Sequence, residues 1–146
     1  MSAKTITSEI TIYAQAERVW AVLTEPSLTR QYMFDCEAQS DWKPGSRLEW
    51  KSAKDGVVYV RGHIVRNEYP RILEYTVFDP FGGYADIPAN YLTVSITLSE
   101  KESATDVSVV QGDFSTVANG EKRYQDSHGG WSYILEKIKT LAEAGT

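Results

Sequence analysis

The polar and apolar positions of this chain change period three times, and those changes divide it into elements. Residues 5–13, TITSEITIY, are β-branched and free of breakers, which predicts a strand. Ala16, Val19, Trp20 and Leu23 then fall at i, i+3, i+4 and i+7, one apolar face of a helix. Pro26 stops that helix and opens a second short one over 27–32. From there the period is two. Phe34, Cys36 and Ala38 alternate with polar residues, as do Leu48 and Trp50. Pro44-Gly45 marks a turn, and Asp55-Gly56 a hairpin into a strand over 57–66, where Val58, Val60 and Ile64 share a face. Leu73, Tyr75 and Val77 follow a turn at Pro70. Leu92, Val94, Ile96 and Leu98 alternate strictly, and Val107, Val109 and Gln111 make the last strand, broken at Gly112. Tyr124, Trp131, Ile134, Leu135, Ile138, Leu141 and Ala142 return to helical spacing. Gly129-Gly130 lies inside or at the start of that helix, where it reads as a frayed end or a kink.

The predicted order is strand, two short helices, six strands and a long C-terminal helix. Short connections make the strands antiparallel. One apolar sheet face and one apolar helix face cover each other most simply in an α+β domain spanning 1–146, with no repeat and no linker.

Composition narrows the function. A net charge of −5 with scattered basic residues argues against nucleic acid and anionic membrane as partners. One cysteine excludes an internal disulfide and fits a reducing compartment. The polar start MSAKT has no secretory h-region, and no apolar run reaches the roughly 18 residues of a membrane span. These features together predict a cytoplasmic protein without membrane insertion.

The motifs of common chemistry are missing. There is no CxxC, HExxH, EF-hand, phosphate-binding loop or GxSxG. The expectation is no metal, no cofactor and no catalytic residue. Of two histidines, His63 has outward parity and His128 reads as a core or capping residue. Cys36 reads as a small buried hydrophobe.

The aromatic content, 12% of the chain, exceeds what a small core needs. Inward parity gathers Phe34, Trp50, Val60, Tyr75, Val77 and Trp131 around one space, with Gln111 and Arg66 as polar members. Apolar walls with a few placed polar groups describe a ligand cavity between sheet and helix. Residues 79–90 form a long loop with Phe81, Tyr84 and Ile87 set among Gly and Pro, a candidate lid. Packing of these side chains on the sheet edge and a dimer contact are the competing readings.

Several segments resemble one family as a set. AQAERVWAVLTEP at 14–26 resembles the first-helix motif of the SRPBCC superfamily, which includes START lipid-transfer domains, polyketide cyclases and birch-pollen-allergen-like proteins. GHIV at 62–65 and PRILEY at 70–75 resemble the branch related to the C-terminal domain of the activator of heat-shock protein 90 ATPase. QGDF at 111–114 and GWSYIL at 130–135 match the same branch. Arg66 stands where the family often has an acidic residue, and Tyr69 replaces the first of its paired prolines. The resemblance implies a helix-grip, START-like fold: a curved antiparallel sheet around a long C-terminal helix. It implies a non-catalytic domain for a small hydrophobic ligand such as a lipid or polyketide. A chaperone-linked interaction module and a cyclase- or hydrolase-like enzyme are the alternatives. A chaperone or a second copy of the chain are the candidate protein partners.

Overall fold

In the computed structural model, residues 4–144 are described; the first three residues of the polar N-terminus lie outside them. The strands are β1 (Ile6–Ile12), β2 (Cys36–Gln39), β3 (Arg47–Ser52), β4 (Val58–Glu68), β5 (Ile72–Val77), β6 (Leu92–Glu100) and β7 (Thr105–Gly112). The helices are α1 (Ala16–Thr24), α2 (Pro26–Tyr32), α3 (Gly120–Ser127) and α4 (Gly130–Ala144), with a short 3₁₀ turn at Pro88–Asn90. The strands form one antiparallel sheet in the order β1-β7-β6-β5-β4-β3-β2. The helix-grip fold is present, and the predicted order of strands and helices holds as far as β7, after which a short helix, α3, precedes the long C-terminal one.

Strict alternation sets the inner face. Leu92, Val94, Ile96 and Leu98 are buried along β6, and Thr105, Val107, Val109 and Gln111 along β7. Trp131, Ile134, Leu135, Ile138 and Ala142 form the buried stripe of α4, which packs against β1, α1 and α2. Burial of a side chain such as Leu135 or Ile138 contributes roughly 1.5–3 kcal/mol.

Three departures from simple periodicity shape the site. The C-terminal helical pattern is two helices, not one. Gly129 takes φ +87°, a left-handed conformation that costs glycine little, and the chain turns there between α3 and α4. Two β-bulges interrupt β4. Trp50 opposes Val60 but Lys51 opposes Val58, so Tyr59 is the extra residue and Val58 leaves the face it was expected to share. Ile64 opposes Tyr75 but Arg66 opposes Glu74, so the parity of β4 inverts again at Val65.

Between the bulges, β4 runs very close to β5. A Cβ on Gly62 would lie 1.8 Å from the Thr76 carbonyl oxygen, so only glycine fits there. The Thr76 hydroxyl, on the other face, accepts from the His63 backbone N–H at 3.0 Å and lies 3.1 Å from His63 Nδ1. His63 is exposed, in keeping with its outward parity.

Candidate functional site

The inner sheet face, the end of α3 and the first turn of α4 line an open-mouthed cavity of about 750 Å³. Register explains which strand residues reach it. Tyr75, Val94 and Gln111 form one cross-strand row on β5, β6 and β7, continued by Ile64 on β4, which packs beneath rather than lining the cavity. Val77 and Leu92 are paired at the end of β5 and β6 nearer the mouth. Trp50 and Val60 are paired on β3 and β4. Trp131 and Ile134 reach the cavity from α4. Strand residues two apart share a face, so these rows stack into a wall.

Phe34, Trp50, Val60, Tyr75, Val77, Gln111 and Trp131 all line this one cavity. Their environments differ. Trp50, Tyr75, Gln111 and Trp131 are each at most 9% exposed. Trp50 and Tyr75 have ring centroids 6.2 Å apart, and Trp131 Nε1 donates to Gln111 Oε1 at 2.8 Å. Phe34 is not on a strand, as its alternation with Cys36 and Ala38 had suggested. It has φ 50°, followed by Asp35 at 65°, and this left-handed pair lifts its ring to the rim, 68% exposed beside Tyr133.

Arg66 is a correction. Because the bulge at Val65 inverts parity, its side chain is on the outer face, exposed and ion-paired with Glu68. Of the candidate lid residues, only Tyr84 lines the cavity. Its ring meets Phe78 edge-on at 5.4 Å and lies under the Arg123 guanidinium at 4.2 Å. Phe81 is exposed beside Tyr59, and Ile87 is exposed. The loop is also tied down. Asn90 Nδ2 donates to the Ala85 carbonyl, its Oδ1 accepts from Ala118 N–H, and Arg123 donates to its carbonyl.

Sequence reasoning left out Met33, Cys36, Tyr59 and Phe78, all of which line the cavity. Cys36 carried the signal, since its inward parity was legible. Tyr59 could not be found without knowing of the bulge. Phe78 follows Val77 directly and breaks alternation, yet it is 2% exposed and stacked on Tyr91 at 4.7 Å.

The electrostatics separate interior from mouth. Burial pushes the Tyr75 phenol well above its ordinary value, and burial first, then the Asp35 and Asp55 charges, raises the Cys36 thiol. Both groups are neutral at ordinary pH. The charged lining residues are Asp35, Lys54, Asp55, Asp79, Arg123 and Asp126. Lys54 pairs with Asp35 at 3.2 Å, and Asp55 accepts from the Tyr59 hydroxyl at 2.6 Å, a bond that lowers the Asp55 carboxyl. His128 caps α3, exposed and beside the Tyr124 ring.

No curated protein matches the sequence. Solved structures do. A protein of Cytophaga hutchinsonii is 33% identical with a TM-score of 0.75, covering 99% of this chain and 98% of its own. A Mesorhizobium loti protein has a TM-score of 0.79 at 21% identity, covering 98% and 99%. The Aha1 dimer of Colwellia psychrerythraea has the same fold, with a TM-score of 0.71 at 14% identity over 97% and 98%. No helix among the described residues is long and apolar enough to cross a membrane. The family model described as activator of Hsp90 ATPase homolog 1-like protein matches residues 13–143, and this chain therefore belongs to that family, a branch of the SRPBCC superfamily.

Proposed function

We propose that residues 1–146 act as one cytoplasmic domain that holds a small, largely apolar molecule between the sheet and α4 without transforming it. The observation that carries this reading is the cavity itself: about 750 Å³, walled by Trp50, Val60, Val77, Leu92, Val94 and Trp131. That size is in the range of small-molecule sites. Two titratable groups on the inner wall, Tyr75 and Cys36, support holding without turnover. A general acid or base works best with a pKa near the operating pH. Tyr75 and Cys36 are displaced upward, away from it.

Trp50 and Trp131 report occupancy directly. Titration with a panel of fatty acids and flavonoids is expected to change intrinsic fluorescence and raise the melting temperature. A ligand at a hundred times its Kd stabilises by about 2.7 kcal/mol. Val60→Trp, which fills the cavity from β4, should abolish both effects while the protein stays folded. Mass spectrometry of the recovered ligand should find it unchanged. A panel with no fluorescence change and no thermal shift would sink the reading.

Family membership favours a second reading, a module that docks on a chaperone. The exposed pairs Phe34–Tyr133 and Tyr59–Phe81 then serve as contact groups beside the mouth. Unchanged ATPase activity of an Hsp90-type chaperone on addition of this protein would argue against it. The relative from Colwellia is a dimer, and self-association of this chain is part of the same proposal.

A further inference from the structure

The charged groups along the cavity are unevenly paired. Four carboxylates, Asp35, Asp55, Asp79 and Asp126, line it with two cations, Lys54 and Arg123. Lys54 pairs with Asp35 at 3.2 Å, and Asp126 with Lys122, one turn earlier in α3, at 2.8 Å. Asp55 accepts from the Val57 N–H at 2.9 Å and from the Tyr59 hydroxyl, and Asp79 from the Phe81 N–H at 2.8 Å. Arg123 has no carboxylate within ion-pair distance among the described residues, whereas Arg30, Arg47, Arg61, Arg66 and Arg71 each have one.

Arg123 is nevertheless held in one pose. Its Nη1 donates to the Asn90 carbonyl at 2.9 Å and to the Ala118 carbonyl at 3.4 Å. The guanidinium lies over the Tyr84 ring, 4.2 Å from its centroid. These contacts use one nitrogen and one face. Nε and Nη2 have no hydrogen-bond partner among the described residues. Neither is sealed inside protein, since Arg18 Nε is the one buried side-chain nitrogen or oxygen without a partner among those residues. The free edge of Arg123 therefore opens on the space that the residue lines. Burial holds the Arg123 pKa below its ordinary value, by more than the neighbouring Tyr84 and Asp79 offset. A partly desolvated cation without a close counter-charge gains most from an anion placed against it.

Resting on the small-molecule reading above, we propose that Arg123 anchors the carboxylate of an otherwise apolar ligand through two parallel hydrogen bonds, from Nε and Nη2. The planar fork of a guanidinium matches the two oxygens of a carboxylate. A neutral head would leave the guanidinium without its counter-charge. Charge also selects against a dianion. Asp79 and Asp126 line the same cavity, so a doubly charged phosphate head is repelled more than a singly charged carboxylate. Lys54 does not compete for the head, because Asp35 already holds it. The apolar remainder of the ligand meets the wall that Val60, Val77, Leu92 and Val94 build.

The probes are decanoate and decan-1-ol, equal in chain length and differing in the charged head. Arg123→Gln should weaken decanoate binding at least about tenfold and leave the alcohol within about threefold. Arg123→Lys, which keeps the charge and loses the planar fork, should recover only part of the loss. A readout on the wild-type protein keeps the test decisive even if Arg123→Gln fails to fold. In proton–nitrogen NMR spectra, one arginine Nε–H signal, absent from Arg123→Lys, should move downfield with decanoate and stay in place with decan-1-ol. Equal loss of both probes in Arg123→Gln, or arginine Nε–H signals that bound decanoate leaves unmoved, overturns the anchor and leaves the cavity reading standing. If neither probe binds the wild-type protein, the cavity reading falls, and the anchor with it.

Discussion

Tyr32 and Tyr75 show how single residues tie this core to pH. Burial raises both phenols above the ordinary tyrosine value of 10.0, and for Tyr32 the neighbouring Tyr75 adds to the effect. Below pH 10 both are protonated in the folded and unfolded chain, and neither makes stability pH-dependent. Above it the unfolded chain loses protons that the folded one keeps, so stability falls as pH rises. Each tyrosine contributes a slope of up to about 1.4 kcal/mol per pH unit. Urea melts between pH 9 and 11.5 should show this decline, and Tyr75→Phe should make it shallower. An identical slope in the variant would mean that Tyr75 is not held neutral by the fold. Trp131 acts at the same scale by another route. Its indole fills the space between α4 and the sheet and sets the Gln111 amide at once, so one side chain both stabilises and orients.

Strand β4 is the element on which the site depends most. Its two bulges, at Tyr59 and Val65, reverse which side chains face inward. The first brings Tyr59 to the rim and the second sends Arg66 away. Between them Gly62 lets the β4 and β5 backbones approach. Gly62→Ala would place a Cβ inside the radius of the Thr76 carbonyl oxygen, and fixed backbone cannot yield as a flexible side chain would. A destabilisation of at least about 2 kcal/mol is expected from overpacking of this kind. A urea midpoint within error of wild type would show that the strands part at little cost. Sequence periodicity locates β4 but not its bulges, because a bulge is a property of pairing between two strands. The break between α3 and α4 is a milder case. Gly129-Gly130 marked the place, but a kink, a frayed end and a full turn all use glycine.

At the scale of the whole molecule, much of the architecture was legible. Strict alternation in β6 and β7 and the helical stripe of α4 are direct imprints of burial, and the segments at 14–26, 70–75 and 130–135 carried the family. The cavity wall was readable wherever a residue sat in an uninterrupted strand, as Trp50, Tyr75 and Gln111 do. It was not readable at Phe34, whose left-handed backbone nothing in a Phe-Asp pair announces. Nor was it readable at Phe78 and Tyr84, where tertiary contacts rather than periodicity decide the inward direction.

The pairing of β1 with β7 has a consequence in time. Ile6 meets Gln111, so the first strand finds its neighbour only after roughly a hundred further residues. At a synthesis rate of about 5–20 residues per second, a nascent β1 stays unpaired for on the order of 5–20 seconds. Contacts of such sequence separation also slow refolding, because loop closure precedes the reward of pairing. Stopped-flow refolding of the full chain should therefore fall in the millisecond-to-second range typical of non-local sheet topologies. Microsecond refolding would mean that the β1–β7 pair forms after the rate-limiting step. Throughout that interval Ile6, Ile10 and Ile12 have no sheet to cover them, which makes the first strand the segment most in need of protection while the chain is being made.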